Sequence, residues 1–372
     1  MWSQLFLIFI GIVGLTIFGR STASGSQDQR RKIYIIFLSI FLILQSGLRN
    51  VAIGADTYEY SKRFAYYGYC SWRFLWEDFI QTLAGESKDA GYGLINKAIY
   101  TICPEYQIYL FAVAIFFFTV LGRFMYKYTS SIYQVFLILC FYQMFFYTFF
   151  SITGIRQTIA VGFTLWSYEY ISKHKLLPFF ILVLVAATIH KTALVFIPFY
   201  WLSQVKKGRT AMFCAFAALP ILMVKARAFA IFLSNVAGDY AAYSESTYAD
   251  AGGPNYLLML LLLSIPAYMK YKHLSSRFEN KLAPFINALA ITLVLSPLVW
   301  VDPSLLRLSY YYSIFILGLF PHLVETLFPQ KNFQFKFLVT GAIIIIICFL
   351  IIHTDSYYSF FWQPTPLGPN YR

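Results

Sequence analysis

QIYLFAVAIFFFTVLG, residues 107–122, runs for sixteen positions without a charge. As a helix rising about 1.5 Å per residue it covers roughly 24 Å, most of a hydrocarbon core of about 30 Å. The next run, SIYQVFLILCFYQMFFYTFF at 131–150, is equally free of charge. Runs of this kind recur near 2–19, 33–48, 155–172, 176–189, 192–204, 211–224, 256–270, 282–300, 308–323 and 337–353, and 91–104 is a short additional candidate. The 372-residue chain is 59% hydrophobic, 20% aromatic and 12% charged. No soluble domain of this size hides that much apolar surface, so the solvent for most of it is lipid. The fold expected is an all-α polytopic membrane protein with about 11–12 transmembrane helices. It has one membrane domain over 1–372, with interfacial or re-entrant helices in its outer loops. The first run lacks a basic leader and a small-residue cleavage site, so it reads as a span and not a signal peptide.

Sorting the charges gives an orientation. Alternate loops collect Arg20, Arg30, Arg31, Lys32, Arg123, Lys127, Lys173, Lys175, Lys206, Lys207, Arg209, Lys270, Lys272, Arg277, Lys281, Lys331 and Lys336, which are 17 of the 29 basic residues. Four acids accompany them, so this side carries the whole formal charge of +13 and the other side is neutral. The positive-inside rule makes the basic side cytoplasmic. The charge is therefore a topology signal, and nothing in it points to nucleic acid. Five scattered cysteines offer no metal-ligand spacing, although Cys70 and Cys103 share the first outer region and are close enough in sequence to pair in an oxidising compartment.

Two outer loops are long, 49–105 and 225–254, and long ordered loops are where function concentrates. In the first, Asp56 and Glu59 have the spacing of a capping box. Aromatic and aliphatic residues from Tyr58 to Ile80 are interspersed with charges, as in helices lying on a membrane surface. The second loop carries Asp239, Tyr240, Tyr243, Glu245, Tyr248 and Asp250, a mixture that suits sugar contact or simple interfacial anchoring.

The outer side, neutral overall, still places cations at the ends of apolar runs. Arg156 opens a helix after Gly154, followed by Gln157. It is either a snorkelling side chain or a phosphate clamp, since a guanidinium offers a fixed fork of donors. Arg307 heads a helix on which Tyr310 and Tyr311 share its face, so a tyrosine hydroxyl is expected to orient it; the bland alternative is a surface pair with Asp302. Arg49 ends the second span, where a cation also suits the helix dipole. His190, followed by Lys191 and Thr192, lies between two apolar runs, and an imidazole is the side-chain type suited to accept a proton or partner a phosphate. Asp56 is either a cap or a carboxylate facing the same site.

These residues form a pattern: Arg49 with Asp56, Thr57 and Tyr60; Ile155-Arg156-Gln157 with Ala160; Ile189-His190 with Thr192, Ala193 and Leu194; and Arg307 with Tyr310 and Tyr311. The pattern resembles the EpsG family of bacterial membrane proteins, related in role to Wzy O-antigen polymerases. The resemblance covers about residue 33 to the tail at Pro369-Asn370-Tyr371, with one departure at Ala55, where the family often has threonine. It implies a glycosyltransferase that polymerises oligosaccharide repeat units carried on undecaprenyl pyrophosphate, at the outer face of the bacterial plasma membrane. A glycosyltransferase-C-like architecture is compatible with it. Flippase and chain-length regulator proteins would be its partners. Under that reading Arg49, Arg156 and Arg307 bind pyrophosphate, and Asp56 or His190 accepts the proton. Tyr60, Gln157, Lys191, Tyr310 and Tyr311 support substrate binding. No cofactor and no metal are expected, since no Asp-x-Asp motif occurs in an outer loop. A lipid-oligosaccharide flippase would instead line the membrane centre with its cations. An O-antigen-type ligase would use the same pyrophosphate chemistry with a different acceptor.

Overall fold

The computed structural model describes residues 2–20, 25–237, 253–277, 281–328, 338, 340–346, 349 and 358–366. Among them every regular element is helical, apart from one isolated bridge between Arg49 and Phe360. The chain is an all-α membrane protein, as its hydropathy requires. It divides into two compact units. One comprises Met1–Phe163, Thr188–His190 and Gln330–Arg372, and the other Thr164–Ala187 and Lys191–Pro329.

In the first unit α1 (Trp2–Phe18) precedes α2 (Gln27–Gly47), which Ser26 and Gln29 open with a reciprocal capping box. Three short helices follow: α3 (Thr57–Tyr69), α4 (Trp72–Ala84) and α5 (Ala90–Ile102). Then α6 (Tyr106–Tyr128) runs antiparallel to α2. At one end the Tyr126 hydroxyl donates to Asp28 at 2.6 Å, and the Arg31 guanidinium lies 4.7 Å from the Tyr126 ring. The Tyr126 hydroxyl, and after it Arg31, hold the Asp28 carboxyl below its usual range. At the other end the Gln107 amide donates to the Gly47 carbonyl. A Cβ on Gly47 would stand 2.4 Å from the Phe111 ring, so a glycine is what lets the two helices close there. Arg30, Arg31, Lys32, Arg123 and Lys127 thus gather at one end of this pair, as the charge sorting requires, and Arg49 stands at the other.

Among the described residues two continuous helices are long and apolar enough to cross a bilayer, Tyr106–Tyr128 and Ala283–Trp300. Two more candidates are bent pairs: Ile132–Phe145 with Tyr147–Thr153, at 72°, and Gly208–Val224 with Ala226–Leu233, at 98°. Hydropathy read the first of these as one straight run, 131–150. The chain breaks it with a π-helical segment, Tyr147–Thr153, after α7 (Ile132–Phe145). Only α5 corresponds to the candidate at 91–104. Its 13 residues reach about 20 Å, which suits a re-entrant or interfacial helix better than a span.

After the π-helix come α8 (Ile155–Ile171) and α9 (Leu176–Ile189), then a 3-10 turn, Lys191–Phe196. The second unit continues through α10 (Phe199–Leu202), α11 (Gly208–Val224), α12 (Ala226–Ala237), α13 (Gly253–Met269), α14 (Tyr271–Arg277), α15 (Ala283–Leu295), α16 (Leu306–Ser313) and α17 (Ile316–Leu327). Its centre is aromatic. Phe196 and Phe315 stack with centroids 5.8 Å apart, flanked by Phe199, Tyr168 and Tyr312. The Asn287 amide donates to the Leu202 and Val205 carbonyls, each at 2.8 Å, and pins the end of α10 to α15. Cys70, Cys103, Cys140 and Cys214 are free thiols. The acids and tyrosines of the second long loop, Asp239 to Asp250, lie outside the described residues, as do most of the run 337–353 and the tail from residue 367.

Candidate active site

The first unit brings three of its charged groups to one place. Arg156 is the second residue of α8, immediately after the π-helix has turned the chain. The Gly154 amide closes that turn on the Phe149 carbonyl at 2.8 Å, and the Gly154 carbonyl accepts from the Thr158 amide and hydroxyl at 2.7 and 2.9 Å. π-Helical turns inside helices collect at functional positions, and this one aims the first turn of α8. Arg156 donates from Nη1 to Asp89 Oδ2 at 2.8 Å. Its guanidinium also lies 5.8 Å from the Tyr60 ring and 5.9 Å from the Tyr92 ring. Its Nε is buried without a hydrogen-bond partner. The cation is therefore held by one carboxylate and two aromatic faces, with donor capacity to spare.

Asp89 sits before α5 with φ at 56°, in the left-handed region that Asp tolerates better than most residues. At an N-cap position its carboxylate would ordinarily accept from the first turn of the helix, yet it makes no such bond. Forgoing a cap costs about 1 kcal/mol. The carboxylate points at Arg156 instead, and its Oδ2 also lies 3.8 Å from His190 Nδ1. That nitrogen is buried and has no hydrogen-bond partner among the described residues. A single carboxylate thus stands between a guanidinium and an imidazole.

Glycine packing explains how α5 reaches the end of α9. A Cβ on Gly91 would fall 2.3 Å from Thr188 Oγ1 and 2.9 Å from the Thr188 carbonyl oxygen, two residues before His190. Only a bare backbone permits that approach. Around it Tyr60, Phe64, Tyr92, Tyr109 and Ile189 form one buried cluster with Ile155 and Ile159. Tyr60 and Tyr92 meet edge-on at 6.0 Å, and Tyr109 lies 6.5 Å from Tyr92.

Arg49 borders the same aromatic cluster. It is 3% exposed and lies within electrostatic reach of Tyr106 and Tyr109. Its Nη1 donates to Ser46 Oγ at 3.2 Å, and Ser46 Oγ donates to the Ser151 carbonyl of the π-helix at 2.9 Å. Its Nε is buried without a partner, and no carboxylate pairs with it among the described residues. The segment 358–366 straps this corner: the Asn50 amide donates to the Ser359 carbonyl, and the Phe361 amide to the Leu48 carbonyl, each at 2.9 Å. A fully buried guanidinium without an anion is expensive, and such groups are kept for a ligand or for a network of acceptors.

Other expected residues fall differently. Asp56 precedes α3 but its side chain makes no capping bond, and Glu59 pairs with Lys62 at 2.9 Å. The capping box expected there does not form, because the Asp56 backbone is already helical (φ −110°, ψ −3°) and holds the side chain away from the amides it would cap. The chain on either side of it is anchored, before it by Gly54 (φ 99°) and after it by the Thr57 hydroxyl, which donates to the Ile152 carbonyl at 3.2 Å. Gln157 is 2% exposed in the first turn of α8.

In the second unit Arg307 is the second residue of α16 and half-buried. Asp302 turns to cap the preceding 3-10 turn through the Ser304 amide at 2.6 Å. Of the two tyrosines expected on the face of Arg307, Tyr311 meets Thr192 Oγ1 at 2.8 Å with its hydroxyl, and Tyr310 lies within electrostatic reach of Arg307. Tyr311 is fully buried and Tyr310 is 8% exposed. Lys191 opens the 3-10 turn that carries Thr192.

Asp89 is the residue that sequence reasoning missed. An acid ahead of a short helix reads as an ordinary cap, so it draws no notice. The one available signal was the Gly-Tyr-Gly at 91–93, which marks a helix start built for close approach.

A family profile described as the EpsG family matches residues 32–364, a span containing every residue named at this site. No curated protein and no solved structure matches the chain.

Proposed function

The chain belongs to the EpsG family, and from that premise, which carries a general role in polysaccharide polymerisation, we propose that it is the membrane glycosyltransferase that joins lipid-linked repeat units. The donor is a glycan on undecaprenyl pyrophosphate, and the acceptor is a sugar hydroxyl of a second lipid-linked unit. The site faces the outer side of the plasma membrane, because the neutral side of the charge map holds Arg49, Arg156 and His190.

The observation that carries this reading is the Arg156 guanidinium, held by Asp89 beside His190 with Nε left over. Charge develops on the departing pyrophosphate in the transition state, and preorganised cations in a water-poor site stabilise it there more than in the ground state. Arg156 and Arg49 supply that charge at the aromatic cluster, with Gln157 in the same helical turn. Arg307, Lys191, Tyr310 and Tyr311 belong to the second unit, and there Arg307 would bind the phosphates of a lipid-linked substrate. These guanidinium groups take the part that a metal plays in other glycosyltransferases.

His190 accepts the proton of the acceptor hydroxyl. The oxygen then bonds to the anomeric carbon of the donor, and that carbon's bond to the pyrophosphate oxygen breaks with its electron pair leaving on phosphate. The proton on His190 is released to solvent or to the leaving group. Asp56 is the alternative acceptor, at the foot of the helix that carries Tyr60. Tyr60, Tyr92 and Tyr109 give the sugar and isoprenoid ends an apolar wall with polar edges.

Purified protein in lipid nanodiscs, supplied with synthetic repeat units on polyprenyl pyrophosphate, tests this directly. A ladder of products spaced by one repeat supports polymerisation. Transfer to a different acceptor without a ladder identifies a ligase, and movement between leaflets without new bonds identifies a flippase.

A further inference from the structure

We propose that α4 is an in-plane membrane helix: Trp72, Trp76, Ile80 and Leu83 enter the acyl chains of the leaflet at the Arg49 end of the molecule, and α4 thereby fixes the depth of α5. The charge map makes that leaflet the outer one.

The helix has three faces. At about 3.6 residues per turn Leu75, Asp78, Phe79 and Thr82 fall on one side. That side is turned inward: Leu75 is 1% exposed, and the Thr82 hydroxyl is buried. Beside it Trp72, Trp76, Ile80 and Leu83 recur at intervals of four, four and three, which makes them one stripe. All four are between 49% and 64% exposed. Past the stripe comes a solvated row of Arg73, Glu77 and Gln81, in which Arg73 Nε donates to Glu77 Oε1 at 2.8 Å. Exposed Phe74, at the far edge of this row, is its one apolar neighbour. A helix surrounded by water has no reason to turn two tryptophans, an isoleucine and a leucine outward in register. A helix lying in a membrane interface does, with its apolar stripe about 5–10 Å into the boundary of headgroups and acyl chains and its charged row in water. Indole rings favour that depth.

The packing puts α4 at the right level. Tyr92, in the first turn of α5, lies 6.5 Å from Tyr109, in the first turn of the spanning helix α6. The start of α5 is therefore level with the point where α6 enters the bilayer. α4 is tied to α5 and to the turn between them: Lys97 Nζ lies 6.0 Å from the Trp72 ring and donates to the Gly68 carbonyl at 2.7 Å, and Ser87 Oγ donates to Asp78 Oδ1 at 2.5 Å. The stripe also continues a surface that lipid already covers. Ile102, at the end of α5, is 86% exposed, and Ile108 and Ile115 are exposed on α6, where a spanning helix meets acyl chains. A stripe one residue wide beside a charged row offers a protein partner little area, whereas acyl chains need no fixed shape.

Three residues separate Gly85, which ends α4, from Asp89, so the depth of α4 sets the depth of the carboxylate that holds Arg156. A substrate anchored by an isoprenoid tail carries its phosphates at headgroup level, and a site fixed there meets them without drawing the tail out of the bilayer. That consequence rests on the proposed lipid-linked substrate; the position of α4 does not.

The experiment measures depth in the full chain, in nanodiscs. With the five native cysteines replaced by alanine, nitroxide labels are placed one at a time through Arg73→Cys, Ile80→Cys, Gln81→Cys and Leu83→Cys. Labels at 80 and 83 are expected to collide several-fold more with oxygen than with a water-soluble nickel chelate, and labels at 73 and 81 should show the reverse. Equal access of the chelate at all four positions puts α4 in water and overturns the proposal. Low access of both reagents at 80 and 83 reveals a protein covering the stripe and overturns it as well. If the cysteine-free chain does not fold, the native tryptophans decide. The emission lost in the double variant Trp72→Phe, Trp76→Phe should be emission that acyl-brominated lipid quenches in wild type, and its survival in brominated nanodiscs overturns the proposal. Neither readout uses polymerisation, so a failure here leaves the proposed function standing, and an inactive enzyme with α4 at the expected depth fails that function alone.

Discussion

Gly91 meets Thr188 so closely that a Cβ on the glycine would stand 2.3 Å from the threonine oxygen. This contact is what seats the start of α5 against the end of α9, and so seats Asp89 beside His190. Each partner of the contact is two residues from the group it positions, Gly91 from Asp89 and Thr188 from His190. The geometry of the site therefore depends on a missing methyl group.

Gly91→Ala should push α5 away from Thr188. Overpacking of this kind costs about 1–3 kcal/mol, and the threonine carbonyl in the contact is backbone that cannot swing aside. Thermal unfolding should fall by several degrees and polymer synthesis should fall much further, because Asp89 leaves Arg156. Gly341→Ala, whose Cβ would meet nothing within 4 Å, is the control and should leave both unchanged. Equal loss of activity in the two variants would break the link between this contact and the site.

Arg156 is held by a carboxylate and two rings, and its role differs from that of a charge alone. Arg156→Lys keeps the charge but loses the planar fork, so it should recover little of what Arg156→Ala removes. A loss of about 10²–10³ in rate is expected for either, the range seen when one preorganised donor to a developing anion is deleted. Initial rates on synthetic donor, at saturating substrate, provide the check. Near-complete rescue by lysine would reduce Arg156 to a point charge.

Much of the site was legible because a cation in an apolar chain is an energetic anomaly. Arg49, Arg156 and His190 stand out for that reason, and the structure places all three in one unit. The boundaries of α9 are those of the run at 176–189, since hydropathy alone sets where such a helix begins and ends. Hydropathy carries no information on helix pitch, so the π-helical bend after α7 was invisible in a uniformly apolar stretch. Asp89 was invisible for a different reason. Its partners come from two other helices, and the contact that assembles them is written as a glycine and a threonine, two residues with many ordinary uses. The Tyr311–Thr192 bond was hidden likewise: helical spacing put Tyr311 on the face of Arg307, whereas burial gave its hydroxyl another partner.

That bond gives a prediction of its own. Tyr311→Phe removes one partner of a buried hydroxyl pair and leaves Thr192 Oγ1 to find another. The cost should be about 1–3 kcal/mol in stability, read from thermal unfolding in detergent. Tyr311→Phe with Thr192→Val, which removes both polar groups, should recover part of it. Arg307→Ala should lower activity without that loss of stability, since it leaves the Tyr311–Thr192 pair intact. A double-mutant cycle of Arg307→Ala and Tyr311→Phe checks this: additive effects on rate are expected, and a strong coupling would restore the tyrosine as the residue that orients Arg307.

Arg49 separates structure from function most sharply. A buried guanidinium with no carboxylate partner is costly to fold around, and replacing buried charges by apolar groups of similar volume is often neutral or stabilising. Arg49→Met fills the same space beside Tyr106 and Tyr109 and removes the charge. If the arginine is present for a pyrophosphate, the variant should unfold at or above the wild-type temperature while binding of farnesyl pyrophosphate and polymer formation both collapse. If it is present to fasten the strap at 358–366 through Ser46 and the bridge to Phe360, stability should drop and probe binding should follow only in proportion to the folded fraction. Measuring both quantities on one preparation distinguishes the two, because a ligand-binding cation and a structural one predict opposite signs for the change in unfolding temperature.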